Sequence, residues 1–341
     1  MFDKLFNRAK SEPTHTASRT NAIRPRRIVV VGAGIAGLAL AAALDPASFE
    51  VSVLEAEPQR ETLGAALGLW PAARRALAGI GAAMGSADRP HNGALFTVGG
   101  RRLVRLPEPD IHLVPRPALL AALRRAVPAG VRIEQQLVED PAQFDADLVI
   151  GADGVRSRVR GLVHPAASER VESPFVTMRG LTDDFNPDRF GEYWGRRRLF
   201  GVASVTDEQA YWFTAHRSTI GPEPLSSHEV LAEAREIFAG DAPVIRHTLD
   251  RCGSDTIATR LWTTPPMPRY VRDRYVVIGD AAHASLPNLG RGACDAILDA
   301  VTLAHTLNRG GSLRAWQTRR LPVTQAARLT AASLMRVATA L

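Results

Sequence analysis

The sequence predicts an α/β fold: a parallel sheet with flanking helices, joined to a second, sheet-rich α+β block. Three observations carry that expectation. Short apolar, β-branched runs end at Val31-Gly32, Ile150-Gly-Ala-Asp153-Gly154 and Ile278-Gly279-Asp280, as buried parallel strands do when their carboxyl ends open onto a ligand crevice. The runs 38–44 and 292–307 read as helices, so strands and helices alternate. Between about residues 171 and 262 the pattern changes to apolar and aromatic alternation, at Glu192-Tyr-Trp194, 199–205 and 210–214, which marks antiparallel strands.

Taken in order, residues 1–25 are polar, basic and rich in Ser and Thr, with Pro13 and Pro25 as breakers. They are expected to form a flexible arm. Phe2, Leu5 and Phe6 could line one stripe of a short helix, but two turns bury too little to anchor it. Residues 26–31 read as a strand, and 49–54 as a second strand ending on Glu55. The apolar run 28–44 falls short of the roughly 20 residues a membrane span needs, and three glycines interrupt it, so no stable membrane insertion is expected. Pro71 suits the first turn of a helix over 72–78. Strands at 94–98 and 102–106 flank Gly99-Gly100, a hairpin signal. Val114-Pro-Arg116-Pro117 opens a helix over 118–126, and a strand follows at 131–135. Ser226-Ser227 caps a helix over 228–238. The segment from Leu313 onward reads as mostly helical, interrupted at Pro322. The expected partition is an arm (1–25), a discontinuous nucleotide-binding domain (26–90, 107–170 and 265–311), a sheet domain for substrate (91–106 and 171–264) and a helical C-terminal segment (312–341).

A chain of 341 residues with a net charge of +7 accommodates one large domain or two fused ones. The charge suits an anionic substrate or a phosphate-bearing cofactor, or is simply a solvated basic face. No zinc finger, RNA-recognition signature or basic repeat argues for nucleic acid. Cys252 and Cys294 stand in no metal-ligand spacing, so no metal site is expected. Few cysteines and no convincing secretion signal point to a reducing cytoplasm.

The chemistry starts at Gly32-Ala-Gly34-Ile35-Ala36-Gly37, spaced G-x-G-x-x-G after a strand and before a helix. Gly32 permits the tight turn, Gly34 lets the backbone approach a pyrophosphate, and Gly37 lets helix and strand pack closely. The free amides of the helix N-terminus face the phosphates. Glu55, about 20 residues on, can hydrogen-bond ribose hydroxyls, which favours FAD or NAD over NADP. An Asp at a strand end, such as Asp153 or Asp280, has an alternative role as the cap of the next helix.

Three ordered motifs, Gly32 to Gly37, Gly151-Ala-Asp-Gly-Val-Arg-Ser-Arg158 and Gly279-Asp-Ala-Ala-His-Ala-Ser-Leu-Pro-Asn-Leu-Gly290, make residues 26–325 similar to the class A FAD-dependent aromatic hydroxylases. These are the p-hydroxybenzoate, salicylate and urate hydroxylase type. Leu69-Trp-Pro-Ala-Ala-Arg-Arg-Ala-Leu77, Arg116 and the Glu192-Tyr-Trp-Gly195 and Tyr211-Trp-Phe213 segments support the resemblance. It implies a Rossmann-type FAD-binding domain. Gly32, Gly34, Ile35, Ala36 and Gly37 would hold the FAD pyrophosphate, and Glu55 the adenosine ribose. Arg116 would reach the pyrophosphate or ribose, or else be a surface Arg at a helix start. Asp153 would support FAD and a passing nicotinamide. Gly279 and Asp280 would bind the ribityl chain, and Pro287, Gly290, Arg291, Gly292 and Ala293 would wrap the isoalloxazine. Arg156, Ser157 and Arg160 are expected to be structural, or near the approach of the nicotinamide cofactor. His283 is expected to be a structural part of its turn, and His305 packing or surface. Trp70, Trp194 and Trp212 line an aromatic pocket or belong to the core.

The activity implied is that of a FAD-dependent monooxygenase. NADH or NADPH reduces FAD, O₂ forms a C4a-hydroperoxyflavin, and one oxygen atom passes to a small, aromatic substrate. No side chain is assigned to the chemical step. The sequence departs from the family where G-Q-G-x-N-x-x-x-E-D-A becomes Gly290-Arg291-Gly-Ala-Cys294-Asp-Ala-Ile-Leu298-Asp299-Ala300, and where Gly-Ala-Gly becomes Gly64-Ala65-Ala66. Arg291 either lies near flavin N1 and C2=O, where a cation raises the flavin potential, or points to solvent. A related epoxidase, oxidase or reductase stays open, as does a flavin-binding protein whose catalysis has decayed. The expected state is a monomer or a homodimer.

Overall fold

The computed structural model describes residues 26–58, 66–85, 89–90, 93–105, 111–183, 185–221, 223–252 and 256–340. The expected arm at 1–25 and the departure at Gly64-Ala65 lie outside the described residues. Strand β1 (Arg26–Val31), helix α1 (Ile35–Ala43) and β2 (Phe49–Glu55) open the fold, followed by β3 (Ala66–Leu69) and α2 (Pro71–Gly79). Then come β4 (Arg89–Pro90), β5 (Ala94–Thr97), β6 (Arg102–Arg105), β7 (His112–Pro115), α3 (Arg116–Ala126), β8 (Arg132–Gln135), β9 (Leu148–Gly151) and α4 (Val159–Val163). The middle of the chain is β10 (Val171–Thr182), β11 (Gly191–Gly195), β12 (Arg198–Ser204), β13 (Ala210–Arg217), α5 (Ser227–Ile237), α6 (Pro243–Asp250) and β14 (Ile257–Thr263). It closes with β15 (Val271–Arg272), β16 (Tyr275–Val277), α7 (Asp280–His283), α8 (Gly292–Asn308) and α9 (Leu313–Ala338).

Three sheets result. The first is ordered β15-β16-β9-β1-β2-β8 and is parallel apart from the β15–β16 pair. Its inner strands β1, β2, β9 and β16 bury apolar, largely β-branched residues, with α1, α3 and α8 contributing to the same core. Register places Val31 beside Gly151 and Gly151 beside Val277, so the carboxyl ends of β1, β9 and β16 lie side by side. The three glycine motifs therefore meet at one edge of one sheet.

Close approach fixes that edge. A Cβ on Gly37 would lie 1.9 Å from the carbonyl oxygen of Gly32, so α1 seats directly on the turn that starts it. Gly279 has φ +58°, and a Cβ there would lie 3.1 Å from the side chains of Ala36 and Ala296. Three elements from distant parts of the chain, α1, α7 and α8, thus close on one glycine.

The second sheet is ordered β14-β10-β13-β12-β11-β5-β6 and is mostly antiparallel, with β5 and β11 parallel. Its outer face packs Tyr193, Phe200 and Trp212 against Val230 and Phe238 of the α5 segment and Ile245 and Leu249 of α6. The third is a small sheet, β3-β7-β4.

Several elements differ from the expectation. Helix α3 begins at Arg116, two residues earlier than expected, because Pro117 falls in the first turn, where its missing N–H costs nothing. Helix α9 runs through Pro322 without interruption. Contacts on both sides hold it: Gln317 accepts the amides of Tyr270 and Val271, and Met335 and Ala338 are buried against the second sheet. Trp212 is core on the outer face rather than pocket. The small sheet and α6 were not expected. Among the described residues no helix is long and apolar enough to cross a membrane.

Gly37→Ala is expected to lower stability by about 3 kcal/mol or more, since backbone must move to admit the methyl group. Gly34→Ala serves as the control, because a Cβ there meets nothing within 4 Å. Denaturant melts of the two variants as apoproteins check the contrast, and equal midpoints would contradict it.

Candidate active site

The crevice above β16, β9 and β1 is built from backbone and carboxylates. Glu55, at the end of β2, accepts the amide of Ala33 at 2.7 Å and that of Glu57 at 2.9 Å. It therefore holds the glycine turn itself, in addition to any ligand it meets. Asp153 accepts the amides of Arg158 (2.8 Å) and Val159 (3.4 Å) and so caps the start of α4. Its Oδ1 is buried with no hydrogen-bond partner, and burial pushes the carboxyl above the usual carboxylate range. Asp280 starts α7 with protein crowded around it, yet its surface is open to solvent, as at the floor of a cleft. That crowding raises its carboxyl, against the opposing charges of His283 and Arg116. Arg116 and Asp280 thus come within electrostatic reach although 164 positions separate them.

The loop after α7 turns at 287–289, passes through Gly290 in the left-handed conformation and enters α8 at Gly292. Behind it lies a chain of charges. Asp299, with no exposed surface, accepts the Gly279 amide at 3.0 Å and Arg320 Nε at 2.7 Å, and its Oδ2 lies 2.6 Å from His283 Nε2. Asp295 accepts from Arg291 at 3.1 Å and from Arg320 at 3.4 Å. Arg291 is thus turned back along α8, 5.8 Å from the Trp70 ring. It does not point into solvent. Cys294 donates to Gly68 O at 3.2 Å and accepts the Trp70 amide at 3.3 Å, tying β3 to α8. Burial pushes this thiol up to about 11.

The inner face of the second sheet covers this loop. Trp194, Phe213 and Leu261 share an apolar cluster with Leu286, Met335 and Ala338, and Tyr211 packs with Ala66 and Leu113. Tyr211 and Phe213 stack at 5.7 Å. Unlike the outer face, these aromatics are only half-buried. Burial pushes the Tyr211 phenol up to about 12 and raises the Glu192 carboxyl, which the Trp194 N–H opposes.

Comparison with known proteins fits this geometry. A family profile described as FAD binding domain matches residues 125–328, and one described as NAD(P)-binding Rossmann-like domain matches residues 30–61. The 3-amino-4-hydroxybenzoate 2-monooxygenase of Streptomyces cremeus is 31% identical, over 88% of this chain and 84% of that protein. The chain belongs to the FAD binding domain family, the class A flavoprotein monooxygenases. The salicylate hydroxylase of Pseudomonas putida is 29% identical, over 84% of this chain and 78% of that one. The structure of Klebsiella pneumoniae HpxO with FAD and uric acid shares the fold, with a TM-score of 0.79 at 23% identity, over 92% of this chain and 89% of that chain.

This flavoprotein monooxygenase takes FAD as its cofactor, and NAD(P)H use is typical of the family. The residues present fit FAD. The Cβ positions of Gly34, Gly290 and Gly292 face open space, leaving a cradle that a side chain would fill. The structure brings Gly32, Gly34, Ile35, Ala36, Gly37, Glu55, Asp153, Gly279, Asp280 and Arg116 to the edge of the first sheet. Pro287, Gly290, Arg291, Gly292 and Ala293 lie on the loop and at the start of α8. Arg160 is structural: it is buried and donates to the carbonyls of Val155, Ala167, Ser168 and Ala281. His283 is structural too, and His305 is exposed. Asp295 and Arg320 were missed. Two acids four residues apart in an otherwise apolar helix were the available signal, since buried acids demand partners.

The His283–Asp299 pair makes stability depend on pH. Burial alone would drive the imidazole neutral, but the Asp299 charge and hydrogen bond hold its pKa above the ordinary value. Burial likewise works against the Asp299 charge, and His283 and Arg320 outweigh it and hold that carboxyl low. The Asp299 contribution is full above about pH 3.9 and lost as pH falls through the depressed native value. The His283 contribution is full below about pH 6.5 and lost as pH rises through the elevated native value. The thermal midpoint is therefore expected to decline on the alkaline side more steeply in the wild type than in His283→Gln. Parallel profiles from pH 6 upward would contradict this.

Proposed function

We propose that this monooxygenase hydroxylates a small aromatic substrate, using NAD(P)H and O₂, in the space between the 287–292 loop and the inner face of the second sheet. The carrying observation is the meeting of three glycine motifs at one sheet edge beneath a half-buried aromatic face. On this reading the first sheet and its helices form the FAD-binding part and the second sheet the substrate-binding part. Gly32, Gly34, Ile35, Ala36 and Gly37 hold the pyrophosphate at the N-terminus of α1. Glu55 takes the adenosine ribose and Arg116 a phosphate or ribose oxygen, while Asp153 steadies the turn beside them. Gly279 and Asp280 take the ribityl hydroxyls. Pro287, Gly290, Arg291, Gly292 and Ala293 hold the ring, with the first amides of α8 at its pyrimidine edge. Bound FAD supplies the redox chemistry, passing electrons from NAD(P)H to O₂ so that one oxygen atom enters the substrate and the other leaves as water. Trp194, Tyr211 and Phe213 position the substrate ring and exclude water. Its small, aromatic character is in keeping with the hydroxybenzoate-type relatives.

The decayed alternative rests on Arg291, Cys294 and Leu298; of these, Cys294 keeps a structural part, its two hydrogen bonds tying β3 to α8. With neither Cys252 nor Cys294 in a disulfide, the protein suits a reducing cytoplasm.

The purified protein is expected to be yellow, with flavin bands that bleach when NADH or NADPH is added anaerobically. A colourless protein that also fails to take up added FAD would refute the reading. Gly34→Ala is expected to weaken FAD binding while leaving the apoprotein melt unchanged. Arg291→Gln is expected to lower the flavin midpoint potential by roughly 20–40 mV, the order expected of one charge several ångströms away in a partly shielded site. No downward shift in a potentiometric titration would count against Arg291 lying near flavin N1 and C2=O.

A further inference from the structure

Helix α9 buries one face and leaves the other uncovered. Trp316, Thr324, Ala331, Met335 and Ala338 are buried against the body of the protein. On the opposite side Val323, Leu329 and Val337 stand 47%, 59% and 55% exposed. No other described element leaves more than two large hydrophobic residues so open. Between Arg319 and Arg336 every exposed position of the helix is uncharged: Pro322, Val323, Ala326, Leu329, Thr330 and Ser333. From Pro322 to Val337 this stripe runs about 22 Å along the axis. An amphipathic helix ordinarily turns charged residues outward, and this one does not.

The charge around the stripe has one sign. Helix α9 contains Arg314, Arg319, Arg320, Arg328 and Arg336 and no acid. Arg320 is taken up internally by Asp295 and Asp299, whereas Arg314, Arg319 and Arg336 are exposed and pair with no acid among the described residues. Three more arginines gather at the far end of the helix. The turn between β11 and β12 is Arg196-Arg197, and the Arg197 amide donates to Thr339 O at 2.7 Å, just past α9. Arg217, at the end of β13, donates its amide to Arg197 O at 3.1 Å. The side chains of Arg196, Arg197 and Arg217 are exposed and likewise have no acid partner among the described residues. Their neighbour Arg198, by contrast, is held by Asp241 at 2.6 Å. Arg197 also keeps φ +62°, where glycine or asparagine sits more comfortably. A cation stands there at some cost to the backbone. The cluster and the uncharged stripe adjoin between Val337 and Thr339.

We propose that the outer face of α9, with Arg196, Arg197, Arg217 and Arg336 at its end, is a docking surface for an anionic lipid bilayer. The helix lies in the plane of the headgroups. Val323, Leu329 and Val337 enter the boundary with the acyl chains, and the guanidiniums take headgroup phosphates. A bilayer answers both features at once. A nucleic acid would answer the charges and leave the apolar residues in water. A second copy of the chain would cover the apolar residues but would bring the same positive charge to the contact. The stripe, roughly 22 Å by 10 Å, also falls well short of the ~800 Å² per partner that a stable interface buries. Among the described residues no helix can cross a membrane, so the contact is peripheral and reversible. Met335 and Ala338 of the same helix lie on the inner face of the second sheet, so docking holds that sheet close to the bilayer. The proposal is independent of the flavin chemistry.

The test is co-sedimentation of the full-length, FAD-loaded protein with vesicles of phosphatidylcholine alone or with about one-third phosphatidylglycerol. Binding to the anionic vesicles is expected to be roughly tenfold or more tighter, and to weaken as salt is raised. Arg196→Ser combined with Arg336→Ser is expected to weaken it roughly tenfold or more. Leu329→Ser combined with Val337→Ser is expected to do the same through the apolar contact. Arg197→Gly is expected to weaken binding severalfold while its thermal midpoint stays at or above the wild-type value, because glycine suits φ +62°. A purely structural arginine would lose stability and leave binding alone. Equal binding to both vesicle types, binding to neither, or binding unchanged in all three variants would overturn the proposal. A homodimer that dissociates on the Leu329 and Val337 changes would assign the face to a second copy instead. Binding to duplex DNA as tight as to the anionic vesicles would assign the cluster to a nucleic acid. Should a variant fail to fold, the wild-type comparison of the two vesicle types decides.

Discussion

Asp299 imposes a strict demand on its surroundings. It is a carboxylate with no exposed surface, in the middle of a mostly apolar helix. Such a group is tolerated only when every lone pair finds a donor. Its donors come from three directions: the Gly279 amide at the end of the first sheet, His283 on α7 and Arg320 on α9. Meeting its needs therefore fixes how α7, α8 and α9 stand relative to one another. Removing one partner of such a group costs about 3–5 kcal/mol in general. Asp295, one turn earlier, extends the same arrangement through Arg320 to Arg291 at the loop. The cofactor loop is thus set by a charge balance within the protein, well before any ligand arrives.

The second sheet shows how one element serves two ends. Alternation sends Tyr193, Phe200 and Trp212 outward into a dry core, and Trp194, Phe213 and Tyr211 inward to a face that is only half-covered. The outer set supplies the burial that stabilises the layer. The inner set is held in position by that layer and spends less of its own surface on packing. Full burial and partial exposure are divided between alternate positions of the same strands.

Much of this was legible from residue order. The glycine spacing after a β-branched strand, the Gly99-Gly100 hairpin and the aromatic alternation each produce local structure by local rules. What escaped depends on partners far away in the chain. The small sheet pairs Ala66 with Pro115 and is made of strands of two to four residues, too short to show a period. Helix α9 passes Pro322 because tertiary contacts outweigh a local breaker. Trp194 and Trp212 look equivalent in the sequence, and only their place in the alternation puts one on the inner face and the other in the outer core. The site divided in the same way. The nucleotide-binding motifs are contiguous in sequence, whereas Arg320 meets Asp295 and Asp299 only once α9 has packed against α8.

Helix α9 touches both sheets. Near its start Gln317 holds the backbone at Tyr270 and Val271 beside the first sheet. At its end Met335 and Ala338 lie on the second, where the carbonyl of Thr339 accepts the amide of Arg197. Because α9 follows every strand of both sheets in the chain, the order of synthesis matters. The nucleotide-side strands and the aromatic sheet have left the ribosome before the segment that braces them against each other exists. Both sheets are complete in sequence by Val277, but the brace between them is set only when residues 313–338 have emerged. A nascent chain stalled before α9 would carry every strand of the two sheets without the helix that holds one against the other.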